Sequence, residues 1–264
     1  MLLAIDVGNT QTLAGVYSGE ELLHEWRIAT ERGATADELA AEHDQILRLR
    51  GGNLGALDDM VVSSVVPDLS AAYRSLALRY LDREALVLEP GVRTGLSILI
   101  DNPHELGADR IANAVAAHRR HEGACIVVDF GTATTFDAVS AAGEYLGGVI
   151  APGIETSLEA LTARAARLVT VDLIAPPRVI GKSTVESMRS GVVHGTVAMV
   201  DGVVARIKEE LDPDALVIAT GGLADLVCPH SVQIDENDPL LTLEGLRIVH
   251  ELNVGRVSAA RSAR

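Results

Sequence analysis

The sequence predicts an α/β protein made of two copies of one β-β-β-α-β-α unit. A first apolar strand, residues 2–5, runs into Asp-Val-Gly-Asn-Thr at 6–10, and a second, residues 125–128, runs into Asp-Phe-Gly-Thr at 129–132. Each strand therefore ends in Asp-x-Gly followed by a threonine, with the motif Asp-x-Gly-x-Thr in the first copy. Such internal similarity indicates a duplicated structural unit.

The segments that follow the two motifs are also alike. Each half continues with hairpin strands, a helical segment with apolar residues on one face, and a buried strand stopped by proline or glycine. The predicted hairpins cover 13–28 and 135–150, the helices 36–49, 155–166 and 185–211, and the later strands 60–66 and 215–220. A boundary near 122–124 predicts an N-terminal lobe over 1–122, a C-terminal lobe over 123–253 and a disordered tail over 254–264.

The composition agrees with two lobes that each bury a core. The chain has 264 residues, of which 48 % are hydrophobic and only 3 % aromatic. Cores of this kind are filled by alanine, valine, leucine and isoleucine, which suits parallel strands covered by helices on both faces.

The charge and the cysteines limit which partners and which cellular compartment are possible. The net charge is −15, and no basic stripe of the kind that binds nucleic acid is present. No apolar run is long enough to span a membrane, and Asp6 interrupts the first strand, so we expect neither a membrane anchor nor a signal peptide. Cys125 and Cys228 lie far apart and favour reduced thiols. Together these features predict a cytoplasmic protein.

The two Asp-x-Gly turns suit phosphate binding. Gly8 and Gly131 allow close approach of backbone N–H groups, which form a concave anion site in a tight turn. Thr10 and Thr132 add hydroxyl donors, and an aspartate at the strand end can hold hydrated Mg²⁺ on phosphate oxygens. One such turn is weak evidence, but two in matching contexts favour a shared function over coincidence.

Three further features of the sequence each allow a structural and a functional interpretation. Gly221 and Gly222 follow a buried strand, where they either start a helix or let adenosine lie against the backbone. Residues 181–183, Gly-Lys-Ser, resemble the end of a P-loop, but Pro176 stands where that motif needs glycine, so we interpret Ser183 as a helix cap. His118 and His121 could pair on a metal, although a charged, solvated helix face is the favoured interpretation.

The segment 101–110 ends in Gly107, Ala108, Asp109 and Arg110, just before a helical pattern over 111–120. Asp109 there could be a helix cap. The functional alternative is that Asp109 accepts a hydrogen bond from a substrate hydroxyl and takes its proton late in phosphoryl transfer, while Arg110 binds a substrate carboxylate.

A duplicated unit of this kind resembles the superfamily of actin, hexokinase and the heat-shock ATPases, whose fold is ribonuclease H-like. That resemblance implies a nucleotide cleft between two lobes. From residue 1 to about 253 the chain more specifically resembles the type III pantothenate kinases. This resemblance rests on the segments 6–10, 63–67 (Ser-Ser-Val-Val-Pro), 90–95 (Pro-Gly-Val-Arg-Thr-Gly), 102–110 (Asn-Pro-His-Glu-Leu-Gly-Ala-Asp-Arg), 129–135, 147–153 (Gly-Gly-Val-Ile-Ala-Pro-Gly), 181–184 and 219–222.

The resemblance implies the ATP-dependent phosphorylation of pantothenate, the first committed step toward coenzyme A. It implies that Asp109 accepts the proton and that Asp129 holds a monovalent cation, K⁺ or NH₄⁺, beside the Mg²⁺ of the nucleotide. It also implies a homodimer in which Thr184 reaches the pantothenate pocket of the partner subunit. The expected ATP-binding residues are Asp6, Val7, Gly8, Asn9, Thr10, Gln11, Thr12, Leu13 and Thr132, to which Gly221 and Gly222 are added. The expected substrate-binding residues are Gly107, Ala108, Asp109, Arg110 and Thr184.

One departure from the family keeps two alternatives open. Many members have a tyrosine facing pantothenate where this chain has Ile100, and losing a neutral hydrogen bond costs about 0.5–1.5 kcal/mol. One alternative is a weak or inactive member that acts as a regulatory binding protein. The other is an ATP or polyphosphate hydrolase on the same fold.

Overall fold

A computed structural model describes residues 1–121, 123–165, 168 and 170–261. It confirms the predicted α/β class, with two mixed sheets in two compact units. The first unit comprises Met1–Leu96, Asp101–Ala116 and the chain from Leu241 onward, and the second comprises Ser97–Ile100 and Ala117–Leu240. Among the described residues, no helix is both long enough and apolar enough to cross a bilayer.

The first unit contains a five-stranded sheet with the order β3-β2-β1-β4-β5. The central strand β1 is buried along nearly its whole length, because it lies between antiparallel β2 and parallel β4. The outer strand β3 mostly alternates between partly buried and exposed residues, as expected for a sheet edge. The strands are β1 (Leu2–Val7), β2 (Gln11–Ser18), β3 (Glu21–Ala29), β4 (Asp59–Ser64) and β5 (Leu86–Val87).

Helices α1 and α2 belong to this unit, and local chemistry sets where each begins. Helix α1 (Ala36–Leu49) has the predicted bounds and starts at a capping box of Thr35 and Glu38. Helix α2 (Pro67–Leu76) starts at a proline, which loses no helical hydrogen bond in the first turn. A π-helical turn, Ala77–Leu81, follows α2 and ends at Asp82 in the left-handed conformation.

The second unit repeats this plan around a six-stranded sheet with the order β11-β10-β7-β8-β9-β6. Strand β7 corresponds to β1, with antiparallel β8 on one side and parallel β10 on the other. The strands are β6 (Ser97–Ile98), β7 (Cys125–Phe130), β8 (Ala133–Val139), β9 (Glu144–Pro152), β10 (Leu216–Thr220) and β11 (Glu236–Asn237). The helices are α4 (Ile154–Arg164), α5 (Thr184–Glu210) and α6 (Ala224–Val227).

The limits of the units differ from the predicted lobes at both ends of the second lobe. Helix α3 (Ala108–Arg120) carries the chain from the first unit into the second, and the predicted boundary residue 122 lies outside the described residues. Helix α7 (Leu241–Arg261) belongs to the first unit, because Leu243 and Leu246 are buried there and a Cβ at Gly245 would overlap the backbone of Ala112.

Helix α7 also continues to Arg261. The sequence predicted a disordered tail from residue 254, and the backbone of 254–261 is instead helical. Residues 262–264 of the predicted tail lie outside the described residues, as does residue 166, which was predicted as the end of a helix.

A chain of three buried side chains ties α1 and α2 to the sheet of the first unit. The indole N–H of Trp26 donates to His43 Nδ1 at 3.1 Å, and His43 Nε2 lies 3.0 Å from the Tyr73 hydroxyl. Because Nδ1 accepts, the neutral imidazole carries its proton on Nε2 and donates it to Tyr73. Burial holds the pKa of His43 at about 4, below its ordinary value of 6.5.

This depressed pKa predicts a pH-dependent loss of stability. Between pH 6.5 and about 4 the unfolded chain binds a proton at His43 and the folded chain does not, so the free energy of unfolding falls as the pH falls. The loss attributable to His43 is on the order of 3 kcal/mol. Urea denaturation across this range measures it. The variant His43→Leu, although less stable throughout, should lose less stability over the same pH range, and an unchanged pH slope would contradict the assignment.

Candidate active site

The first Asp-x-Gly turn connects β1 to β2. Asp6 lies opposite Leu13 of β2 and beside Ser63 of β4 in register. The Gly8 amide donates to the Gln11 carbonyl at 3.0 Å, and a Cβ at Gly8 would lie 2.9 Å from that oxygen, so a side chain there would strain the turn. Asn9, Thr10 and Gln11 are exposed in this turn, whereas Thr12 and Leu13 are buried in β2. The turn thus presents backbone and polar side chains to solvent.

The segment after β3, residues 30–35, packs against this turn. The Thr30 amide donates to the Thr10 carbonyl at 2.9 Å, and the hydroxyls of Thr30 and Thr12 lie 2.9 Å apart. The Arg32 guanidinium donates to Asn9 Oδ1 at 3.1 Å. Neither Thr30 nor Arg32 was predicted from the sequence as a residue beside this turn. The hairpin register that pairs Gln11 with Ala29 places residue 30 beside residue 10, so a correct strand alignment was the available signal.

The second Asp-x-Gly turn connects β7 to β8 and is closed differently. The Gly131 amide donates to the Ala133 carbonyl at 3.0 Å, two residues further along the chain. In the first turn the acceptor is three residues along, because that turn is one residue longer. The start of α4 packs on this turn, where Thr156 Oγ1 donates to the Thr132 carbonyl at 2.8 Å. A Cβ at Gly153 would overlap the carbonyl oxygens of Gly131 and Thr132. Glycine at 153 therefore sets the position of this turn.

Asp129 is the penultimate residue of β7 and pairs in register with Thr220, the last residue of β10. A Cβ at Gly221 would lie 2.5 Å from Asp129 Oδ1 and 2.7 Å from the Phe130 amide nitrogen, and Gly221 has φ of +93°. Gly221 thus has a structural reason to be glycine that the sequence did not reveal. A Cβ at Gly222 would meet open space.

The 101–110 segment is a loop that leads into α3. The Asn102 side chain accepts from the His104 amide at 3.3 Å and donates to Glu105 at 2.7 Å, which fixes a short 3₁₀ turn over Pro103–Glu105. Asp109 and Arg110 are partly exposed.

Asp109 is the second residue of α3, and its Oδ1 accepts from the Arg110 amide at 2.9 Å. It therefore lies inside the first turn and not at the capping position, where a cap would bond an amide further along the helix. Its carboxylate lies against the backbone of Gly107, since a Cβ at Gly107 would overlap it. The glycine at 107 thus has a local geometric reason.

The remaining predicted residues all lie in the second unit. Ile100 is partly exposed, and its side chain approaches Gly147, whose φ is +125°. Thr184 is the exposed first residue of α5. Ser183 caps this helix by accepting from the Glu186 amide at 3.2 Å, which confirms that the Gly-Lys-Ser segment is a helix start.

His118, in α3, and His121, which directly follows that helix, are held separately. His118 packs against Gly143, and His121 Nε2 lies 3.7 Å from a Glu236 carboxylate oxygen. Among the described residues, no group of three or more potential ligands is placed to hold a metal ion.

In each unit the predicted residues lie at the ends of strands and the starts of helices. In the first unit, residues 6–13 lie at the β1–β2 turn and residues 107–110 at the start of α3. In the second, Asp129 and Thr132 lie at the β7–β8 turn, Gly221 and Gly222 follow β10, and Thr184 begins α5. Strand ends with glycine turns are the usual ligand-binding edges of such sheets.

Two mixed sheets, in which β1 and β7 each lead into an Asp-x-Gly turn, define the ATPase fold class of actin, hexokinase and related sugar kinases. The structure of the ROK hexokinase from Thermus thermophilus aligns with a TM-score of 0.52 and 15 % identity, over 97 % of this chain and 99 % of that one. A Campylobacter jejuni protein described as a conserved putative Baf family transcriptional activator aligns with a TM-score of 0.59 and 20 % identity, over 96 % of this chain and 99 % of that one. At these identities the likeness concerns the fold alone.

The sequence comparisons are more specific. The family model for type III pantothenate kinase matches residues 2–206. A type III pantothenate kinase from Streptomyces griseus is 54 % identical over 264 residues, which cover 97 % of this chain and all of that protein. The chain belongs to the type III pantothenate kinase family.

The contact between Gly221 and Asp129 predicts opposite outcomes for neighbouring glycines. Gly221→Ala should lower the free energy of unfolding by about 1–3 kcal/mol, because it combines a strained positive φ with an overlap onto Asp129. Gly222→Ala, whose Cβ enters open space, should change it by less than about 0.5 kcal/mol. Urea denaturation of both variants measures the difference, and equal losses would show that the Asp129 contact is unimportant for stability.

Proposed function

We propose that this protein transfers the γ-phosphoryl group of ATP to the primary hydroxyl of pantothenate, forming 4′-phosphopantothenate, the first step of coenzyme A biosynthesis. The observation that carries this proposal is the family match over residues 2–206 in a chain that keeps both Asp-x-Gly turns and the Gly-Ala-Asp-Arg segment. No finding favours a regulatory protein or a hydrolase.

In this proposal the Asp-x-Gly turn of each unit contributes residues that bind the nucleotide. In the first unit the backbone of residues 6–13 and the exposed side chains of Asn9 and Thr10 bind phosphate oxygens. In the second unit Thr132 contacts the nucleotide, and Gly222, which leaves open space, lies against adenosine together with Gly221.

Asp109 is the proposed proton acceptor. Its Oδ1 accepts the Arg110 amide, so we assign the substrate hydroxyl to Oδ2. As the pantothenate oxygen forms its bond to the γ-phosphorus, the bond from that phosphorus to the bridging oxygen breaks and ADP leaves. The hydroxyl proton passes to Asp109, and Arg110 binds the substrate carboxylate, with Gly107 and Ala108 lining the loop.

Two cations complete the proposed chemistry. Mg²⁺ would neutralise charge on the transferred phosphate, and the carboxylate of Asp6 at the first turn supplies the oxygen that Mg²⁺ prefers. Asp129 would hold K⁺ or NH₄⁺. A Cβ at Gly221 would lie 2.5 Å from its Oδ1, so the glycine leaves room beside this carboxylate, which supports the proposal.

We propose a homodimer whose interface includes a groove between α4 and α5. The groove has a volume of about 600 Å³ and is lined by Leu161, Thr184, Met188, Gly191 and Gly195, among others. Its lining is mainly apolar, and Leu161 remains 41 % exposed in the single chain. A second copy would cover these groups and bring Thr184 of the partner subunit to the pantothenate pocket.

The proposed compartment is the cytoplasm, with no nucleic-acid or membrane partner. Cys125 and Cys228 are both free, and Cys125 is buried, which suits a reducing compartment. Burial raises the pKa of the Cys228 thiol to about 11 and that of Cys125 to about 12, so neither is a reactive thiolate at neutral pH. A net charge of −15 disfavours contact with polyanions.

If Asp109 accepts the proton, Asp109→Asn should retain ATP binding. Its pantothenate-dependent turnover should fall by a factor of about 10²–10⁴, because the amide cannot take the proton. A coupled assay of ADP release with and without pantothenate measures turnover, and calorimetry measures ATP binding. Asp68→Asn, which neutralises another aspartate in the first turn of a helix, is the matched control and should retain activity. Full turnover by Asp109→Asn would remove Asp109 from the mechanism.

The proposed interface predicts that Gly195→Arg produces a monomer. A Cβ at Gly195 would have nothing within 4 Å in its own chain, so the fold should accept the new side chain while the groove receives an uncompensated charge. Sedimentation velocity measures the mass. Glu209→Arg, which places the same residue on an exposed position of α5 outside the groove, should leave the dimer intact. A dimer that persists in Gly195→Arg would locate the interface elsewhere.

A further inference from the structure

The first Asp-x-Gly turn contains no positively charged side chain. Residues 6–13 contain one acid, Asp6, and neither lysine nor arginine, in a chain with a net charge of −15. A nucleotide triphosphate is strongly anionic, and bound Mg²⁺ offsets only part of its charge. Binding sites for phosphate commonly add a guanidinium or ammonium group, because charge-assisted hydrogen bonds are about twice as strong as neutral ones. A cation from a neighbouring segment would therefore help this turn.

Arg32 is placed to supply that cation. It lies in the segment after β3, and its Nη2 donates to Asn9 Oδ1 at 3.1 Å, on the exposed side of the turn. This segment is held against the turn by two more bonds, from the Thr30 amide to the Thr10 carbonyl and between the hydroxyls of Thr30 and Thr12. The guanidinium is thus anchored beside the residues that face a bound phosphate.

The chemistry of the guanidinium fits this position. It carries five N–H donors in a fixed plane, and the bond to Asn9 uses one of them. The others can bind two oxygens of one phosphate side by side, a geometry that a lysine ammonium cannot reproduce. Arg32 is exposed, so its charge is available to a ligand that enters from solvent.

We propose that Arg32 is a phosphate-binding residue of the nucleotide site, where it donates to an oxygen of the β- or γ-phosphate while holding Asn9 in the turn. This inference rests on the proposed function for the identity of the nucleotide. It adds a residue to that site and assigns the 30–35 segment the task of carrying it.

Nucleotide affinities of the full chain test this directly. We expect Arg32→Ala to weaken ATP binding by about 10- to 100-fold, the effect of losing a charged hydrogen bond, and to leave adenosine binding unchanged. Arg32→Lys should restore part of the affinity, since it keeps the charge and loses the paired geometry. The control Arg48→Ala removes an exposed arginine of the same unit that pairs with Asp44, and should bind ATP like the unaltered protein.

A purely positioning role would give a different pattern. If Arg32 acted only by holding the Asn9 side chain, then Asn9→Ala combined with Arg32→Ala would bind ATP no worse than Asn9→Ala alone, which would overturn the proposal. An unchanged ATP affinity in Arg32→Ala, or an equal loss of adenosine affinity, would also overturn it. We expect instead a further loss in the double variant, confined to nucleotides that carry the phosphates.

These binding measurements separate this inference from the proposed function. They need no pantothenate and no turnover. If the unaltered protein binds ATP but does not phosphorylate pantothenate, the proposed function fails, and the comparison between Arg32 variants still decides the role of Arg32.

Discussion

Close approach of backbone and carboxylate at glycine positions is the constraint on which the candidate site depends. Gly107 lets the Asp109 carboxylate lie against its own loop, and Gly153 lets α4 reach the second Asp-x-Gly turn. Gly221 lets Asp129 lie beside the end of β10. In each case a single Cβ would displace a polar group that we assign to ligand or cation. The cores behind these positions are rigid and closely packed, so the displaced group would have no low-cost alternative.

The sequence predicted the duplicated plan well, because strand polarity, hairpin turns and helix periodicity are local properties. Helix α1 has its predicted bounds, and β1 and β7 each lead into an Asp-x-Gly turn as expected. The packing of α7 in the first unit was not predicted from the sequence. The contact of Gly245 with α3 joins residues far apart along the chain and leaves no local pattern.

The same distinction holds at the site. The residues of the two turns and the 107–110 loop could be named from motifs, whereas Arg32 could not, because its role follows from the hairpin register that brings the 30–35 segment to the first turn. The reason for Gly221 was likewise hidden. The glycine pair suggested a ligand, but the structure shows that its first member makes room for Asp129, a residue 92 positions earlier, and leaves only Gly222 facing open space. Motifs therefore locate a site more readily than they explain it.

The activity that we propose for this chain is phosphorylation of pantothenate on its primary hydroxyl. The most direct measurement is identification of the product by mass spectrometry and ³¹P NMR after incubation with ATP, Mg²⁺ and pantothenate, in K⁺ and again in Na⁺. We expect one phosphate monoester on the primary hydroxyl, formed with equal amounts of ADP, and a lower rate when Na⁺ replaces K⁺. ADP released at the same rate without pantothenate, and no phosphorylated pantothenate, would contradict it.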